Sequence, residues 1–496
     1  MASGRGLPSV LRTQTYERPV QQDITTDILY PVSINQKQAK WILDRKGVLD
    51  SNSAIILRQT CNQVGGVDMD CYLPTSTGIL GAISRAYLTI GGRRVSNLES
   101  VGHWATWKRL HWSDEYKTGV ANVKQGGADV FCGSASRTVS AIAPADPTKI
   151  NARGFDAPYG ALGRVSDEFC KDGATGVMQA GLTDTSTPAG QVLTHLRETT
   201  PEWSITLSQI IPFLKGLQLP LFAMREEVAI VVEWNENIFG HRFCVPAANL
   251  ASQNAIFSEI STRDVYLCAD YLFFPNQLEL LTQEMMTGGG YDIPYDEIQV
   301  VENTEPAVAG AGQRAFDTQL ALGGKKVKAV IMQQQQVDAA GLSYANIGRY
   351  NSIALRLGQS MNLFIDSQPF YSKDITNQSL MLQEANQVEG IPLQLCDYRW
   401  SWTNQVDAAG AISKPGLSDR LYNGYANSDE AGTAQFLAIK MENAMGQGRR
   451  ISNLPMIWKR QATLAGAQAG DQFKLRFFCI TQRLCNISNG IVHTIE

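Results

Sequence analysis

Phe473-Lys474-Leu475-Arg476-Phe477-Phe478-Cys479-Ile480 alternates apolar and polar side chains with a period of two until its second face also turns apolar at Phe478 and Ile480. Successive side chains of a strand point to opposite faces, so this pattern predicts a β-strand with one face in a core and the other partly covered. The same period recurs along the chain. Ala86, Leu88 and Ile90 oppose Arg85, Tyr87 and Thr89; Ile205 and Leu207 oppose Ser204, Thr206 and Ser208. Val327, Ala329 and Ile331 oppose Lys326, Lys328 and Val330, and Ile353, Leu355 and Leu357 flank Ala354 and Arg356. Val228 to Val232 is apolar without alternation, which predicts a strand covered on both faces. These segments predict an all-β chain of stacked sheets.

Helical signals are few. After Pro275, Asn276 and Glu279 have capping-box spacing, Leu278, Leu281 and Met285 share a face, and Gly288-Gly289-Gly290 supplies a stop. A second helix is predicted from Gln378 to Glu389, ending at Gly390. Single cores seldom exceed about 250–300 residues, so a chain of 496 residues predicts two domains, divided at the first of these helices. The division expected is an N-terminal arm over 1–22, a first β-domain over 23–275, a linker helix over 276–290 and a second β-domain over 291–496. Ser113 to Thr200, rich in Gly, Ala, Ser, Thr and Asp, reads as a long insertion in the first domain, and no strand is assigned inside it. Gly91-Gly92 before Arg93-Arg94 and Gly323-Gly324 before Lys325-Lys326 read as matching tight hairpins, a weak echo between the halves. Lys325, Lys326 and Lys328 are expected on a solvated hairpin.

The chemistry-bearing residues form no recognisable catalytic pattern. None of His103, His111, His195, His241 and His493 has metalloprotease or zinc-site spacing, and there is no nucleophile elbow or phosphate-binding glycine loop. His103 and His111 lie among Trp104, Trp107 and Trp112, where a packed aromatic patch is expected ahead of a ligand site. Glu226 and Glu227, as strand neighbours, would point apart. Asp68, Asp70 and Cys71 fit a turn better than part of a metal site. No catalytic, cofactor-binding or metal-ligating residue is therefore assigned, and no cofactor is expected. The nine cysteines have no CxxC and irregular spacing, which predicts reduced thiols. The sequons at Asn377 and Asn486 read as chance matches, because Met1 to Gly6 lead into no apolar signal segment. No run of about 18 apolar residues predicts a membrane span. The net charge of −4 offers no broad basic field for nucleic acid. The charged fraction of 18% is below the usual value of about 25%, as expected of a protein that hides much of its surface in permanent contacts.

Two segments carry a resemblance. Trp41-Ile42-Leu43-Asp44-Arg45-Lys46-Gly47-Val48-Leu49-Asp50-Ser51-Asn52-Ser53, followed by Gly78-Ile79-Leu80-Gly81-Ala82-Ile83 and the Ala86 to Ile90 strand, resembles the opening of the first jelly roll in capsid proteins of virophages and polinton-like viruses. Ile211-Pro212-Phe213-Leu214-Lys215-Gly216-Leu217-Gln218-Leu219-Pro220-Leu221-Phe222-Ala223-Met224, running into Glu227 to Trp234, is similar to a passage near the end of the first jelly roll in capsid proteins of large DNA viruses. The resemblance covers most of the first half and the junction, and in the second half only the strand pattern supports it. It implies two tandem eight-stranded jelly-roll sandwiches with short linking helices. It further implies a non-enzymatic major capsid protein, forming pseudo-hexagonal homotrimeric capsomers of an icosahedral virion. Expected partners are other copies of the chain, neighbouring capsomers, and penton and minor capsid proteins, with no direct specific nucleic-acid binding. The arm and the 113–200 insertion are expected to be rich in contacts between subunits. Two readings from other classes stay open: a β-sandwich glycan-binding or viral spike protein, and an all-β hydrolase with two carboxylates in a groove.

Overall fold

The computed structural model describes residues 23–35, 37–63, 77–113, 116–125, 170–171, 178–179, 202–217, 219–235, 256–260, 265–273, 290–305, 312–337, 357–389, 405–406, 412–413, 436–452, 454–464, 472–488 and 490–495. The expected arm, the linker helix after Pro275, the Ile353–Leu355 pattern and the Asp68–Cys71 turn lie outside them. So do His195, His241 and most of the 113–200 insertion.

Eight of the described strands build the framework of the first half: β1 (Asp23–Leu29), β2 (Gln38–Ile42), β3 (Ala54–Gln63), β4 (Ile83–Ile90), β5 (Arg93–Glu99), β6 (Glu202–Thr206), β7 (Val228–Trp234) and β8 (Tyr266–Phe273), and Ser33–Ile34, Val48–Leu49 and Ile256–Ile260 pair at their edges. They form two antiparallel sheets with the orders β1-β8-β3-β6 and β2-β7-β4-β5. Eight more of the described strands build the framework of the second half: β9 (Tyr291–Glu305), β10 (Gly312–Leu320), β11 (Lys326–Val337), β12 (Leu357–Ile365), β13 (Gln368–Pro369), β14 (Leu437–Lys440), β15 (Met456–Leu464) and β16 (Gln472–Ser488), with Arg449–Arg450 and Ile491–Ile495 paired beside them. Their orders are β9-β16-β11-β14 and β10-β15-β12-β13. In each half the order is first-eighth-third-sixth facing second-seventh-fourth-fifth. That is the strand order of a jelly roll, in which consecutive strands mostly cross between two sheets and wrap a single core. The expected pair of eight-stranded jelly rolls is present, and the second half repeats the topology of the first in full.

Alternation decides which side chains enter each core. The row Leu29–Leu267–Ile55–Ile205 crosses the first sheet on its inner face; Leu267, Ile55 and Ile205 are buried. The matching row of the second roll, Val301–Phe477–Met332–Leu437, likewise packs into its core. β7 is buried from Val228 to Val232, as its unbroken apolar run predicts. The helix expected over Gln378–Glu389 is observed with those bounds and is called α2; α1 is Val101–Arg109. Each follows the fifth strand of its roll.

The two glycine pairs are not equivalent. Gly91 and Gly92, at φ +58 and +74, close the two-residue hairpin β4–β5, with Ile90 opposite Arg93. Both residues need a left-handed backbone, which a glycine adopts at little cost. Gly323-Gly324, by contrast, joins β10 of one sheet to β11 of the other, so the hairpin expected there is a crossover between sheets. The counterpart of Gly91-Gly92 in the second roll is Asp366-Ser367 between β12 and β13, at φ +54 and +64. Hairpins and crossovers both require tight turns, so Gly-Gly alone could not distinguish them. The strand expected through Leu207 and Ser208 ends at Thr206, and Leu207–Ile210 is a helical turn. Inside the 113–200 insertion the described residues include a helical stretch over Tyr116–Gln125 and the two-residue strands Cys170–Lys171 and Met178–Gln179.

A Cβ at Gly91 would stand 2.4 Å from Glu226 Oε1 as well as adopt a left-handed φ. Gly91→Ala is expected to cost at least about 1–2 kcal/mol, read as a lowered midpoint in thermal or denaturant unfolding. Gly92→Ala, with open space around it, should cost only the backbone part.

Candidate functional site: the joint between the two sandwiches

One row of the second roll points away from its own core. Val300, Phe478, Ile331 and Ala438 cross β9-β16-β11-β14 on the outer face. An outer sheet face in a free sandwich is ordinarily polar. Here Phe478, Ile331 and Ala438 are fully buried, and Val300 packs against the same cluster, because the first roll covers them. α1 is the cover. Its Trp104 ring lies 5.5 Å from Phe478, and Trp107 meets Phe436 edge-on at 5.4 Å. The apolar cluster of the first roll therefore runs without a break into the outer face of the second.

Polar contacts fix the orientation. The Tyr295 hydroxyl donates to the Val95 carbonyl at 2.9 Å, and its ring meets Phe213 at 4.9 Å. Burial pushes the Tyr295 phenol up to about 12, so it remains a donor at any ordinary pH. Arg225 N–H donates to Gly490 O at 2.9 Å, and Val492 N–H donates to Glu226 Oε2 at 3.1 Å. The two helices meet across the joint. Trp107 Nε1–H donates to Glu389 Oε1 on α2 at 3.0 Å, and Lys108 Nζ donates to the same oxygen at 2.5 Å. Burial pulls the Lys108 ammonium down from its usual pKa, and Glu389 opposes that. Burial would also raise the Glu389 carboxyl, but Lys108 and the Trp107 N–H hold it below the ordinary carboxylate value of 4.5. Glu302 behaves alike: burial works to raise it, while Arg476 and Lys474 hold it below that value.

Beside α1 the joint leaves a cleft of about 760 Å³, walled by Trp104, His111, Trp112 and Tyr116 from the first roll and by Ile298, Ala329 and Ile480 from the second. Ion pairs lie along its walls: Lys328 with Asp296 at 2.8 Å and with Glu442 at 3.8 Å, and Lys108 with Glu389 across the joint; Lys215 also lines it. Lys328 is thus an ion-paired wall of the cleft, and of the basic run only Lys326 is well exposed, which corrects the expected solvated hairpin. Lys325 donates to Gln299 at 2.8 Å.

The aromatic cluster behaves as the spacing predicts: it packs, and what it packs against is the other roll. His111 lies 4.8 Å from the Trp107 ring, and His493 is exposed on the C-terminal hairpin. Glu226 and Glu227 diverge, Glu226 to Val492 and Glu227 to Lys40 at 3.2 Å. Asn486 of the second sequon donates to Asp292 at 2.6 Å within the sheet. Cys479 and Cys485 are buried free thiols, each pushed up to about 12 by burial, and Cys268 is also free. Among the described residues no three His, Cys, Asp or Glu side chains converge as metal ligands, and no helix is long and apolar enough to cross a membrane. Sequence reasoning missed the partners that the second roll supplies at the joint: Phe436, Glu389 and Tyr295. The available signal was the second face of β16 turning apolar at Phe478 and Ile480.

No family model matches the chain, and no curated protein matches it. Solved structures do. The chain aligns with the cryo-EM structure of the Sputnik virophage at 11% identity and TM-score 0.53, over 96% of this chain and 89% of that one. It aligns with the PBCV-1 virus capsid at 11% and 0.51, over 97% and 98%, and with the Faustovirus major capsid protein at 9% and 0.51, over 96% and 92%. At such identities the likeness is one of fold, and the fold is the double jelly roll of these capsid proteins.

Trp107→Ala is expected to destabilise the chain by about 3–5 kcal/mol, measured by denaturant unfolding. Glu389→Gln should cost about 1.5–3 kcal/mol through loss of a charged hydrogen-bond acceptor. Glu389 and Glu302 both have lowered folded pKa values. Their stabilisation is therefore fully present above pH 4.5 and is lost as pH falls through the lower folded values. The melting midpoint should therefore fall as the pH is taken below 4.5, and Glu389→Gln should shrink that fall.

Proposed function

We propose that the chain is the major capsid protein of an icosahedral virion, a structural subunit that performs no catalysis. The observation that carries the reading is the pair of jelly rolls with identical strand order, held as one rigid body by a buried joint. Such a unit presents two nearly equivalent walls, so three copies related head-to-tail give six sandwiches and a pseudo-hexagonal outline that can tile a shell. A heterologous contact that closes after three steps is what such a trimer requires, and obligate contacts of this kind bury roughly 2,000–5,000 Å². The low charged fraction and the double jelly-roll fold support the same reading. We place the first roll within residues 23–275 and the second within 291–496, joined by the helix expected over 276–290. Partners are other copies of the chain, neighbouring capsomers, and penton and minor capsid proteins, and the protein resides in the virion. Direct specific nucleic-acid binding is not part of this reading, and the net charge of −4 supports leaving it out.

Light scattering on the purified native protein, with negative-stain imaging of the same sample, tests this. A mass of three chains with hexagonal particles, or closed shells, is expected. A monomer that stays monomeric at high concentration would overturn the reading.

A further inference from the structure

We propose that the cleft beside α1 binds a small organic anion with a flat aromatic body, its ring seated between the two rolls and its charge on Lys215 and Lys108. This stands apart from the shell-subunit reading and does not require it. At about 760 Å³ the cleft has the size of a small-ligand site. Such sites form at domain joints and combine apolar walls with a few placed polar groups. The apolar walls face each other across the joint. Trp112 and Tyr116, just past α1, stand edge-to-face with ring centroids 5.0 Å apart. Trp112 is half-buried and Tyr116 is exposed. Ile298, Ala329 and Ile480, on β9, β11 and β16, line the opposite side. Aromatic rings favour offset and edge contacts with one another. A flat ring in the cleft therefore meets two aromatic side chains on one side and aliphatic groups on the other.

The charge of the ligand follows from the ion pairs. Asp296 and Glu442 are matched by Lys328, which pairs with both, and by Lys440, which lies 3.8 Å from Glu442. Glu389 is matched by Lys108. Lys215 is left over: it lines the cleft, is exposed, and forms no ion pair among the described residues. Its charge acts on both Lys108 and Glu389, so it stands beside that pair. Two ammonium groups and one carboxylate thus share the first-roll end of the cleft, which leaves a net positive charge there. An ammonium carries three donors, and Lys108 directs one to Glu389. Both lysines therefore have N–H groups available to a carboxylate, sulfonate or phosphate oxygen, and hydrogen bonds between such charged partners are the strong ones. Because the ligand touches both rolls, it favours the closed joint and stabilises the fold by mass action.

Calorimetric titration of the full chain with naphthoate, a two-ring carboxylate, and with its neutral amide tests this. Saturable binding at one site per chain is expected, with naphthoate held about tenfold tighter than the amide, the factor a charged hydrogen bond contributes. The melting midpoint should rise with naphthoate concentration. Lys215→Glu should remove the preference for the anion. Lys37→Glu, the same charge change at an exposed residue outside the cleft, should leave it intact. Tyr116→Ala should weaken both compounds several-fold and keep their ratio. All three positions are exposed, and far-UV circular dichroism checks that each variant keeps the native fold. Absence of saturable naphthoate binding overturns the site, and so does binding that neither Lys215→Glu nor Tyr116→Ala weakens. An anion preference that survives Lys215→Glu overturns the charge assignment. None of these outcomes touches the mass of the assembly, so each leaves the shell-subunit reading to its own test.

Discussion

The burial of one outer sheet face governs the rest of this molecule. A jelly roll needs only its inner faces covered to fold. The second roll nevertheless carries Phe478, Ile331 and Ala438 on the outside, where water would otherwise meet them. Exposing a Phe and an Ile side chain costs about 1.5–3 kcal/mol each, so this face requires a cover. α1 supplies it from the first roll, with Trp104 and Trp107 as the filling side chains. Because interiors are close-packed and resist small displacements, the cover also sets the relative orientation of the sandwiches.

Polar groups sharpen that orientation. Tyr295 to Val95, Arg225 to Gly490 and the Trp107–Lys108–Glu389 cluster act at separate points around the apolar patch. Hydrogen bonds are directional, so each point removes a freedom that apolar contact alone would leave. The strands β9 and β16, 15 and 17 residues long, overrun their own sandwich, and their ends join the first roll's apolar cluster through Ile293, Tyr295, Cys485 and Ile487. The joint is thus built from the second roll's own framework, and loosening it would disturb that roll's core.

Internal repetition also gives the chain a directional character. Among the described residues the outer face of this sheet is buried in the second roll and exposes Ile24 and Ile28 in the first, and both rolls carry a helix after their fifth strand.

The period-two alternation, the unbroken run Val228–Val232, the helix Gln378–Glu389 and the Gly91-Gly92 hairpin were legible in the sequence, because each depends on contacts between near neighbours or on a backbone preference of one or two residues. The aromatic character of the Trp104–Trp112 cluster was legible too. Its partners were not, because Phe436, Phe478 and Glu389 lie hundreds of residues away and no local pattern encodes that pairing. Gly323-Gly324 shows the same limit: its composition specifies a turn, while whether the next strand joins the same sheet or the facing one depends on where distant strands have already packed. Sequence by itself determined the all-β class, most of the strands and the jelly-roll kinship. Only the tertiary structure decided which sheet face is covered, by which helix and in what register, because those choices rest on packing between surfaces that are remote along the chain.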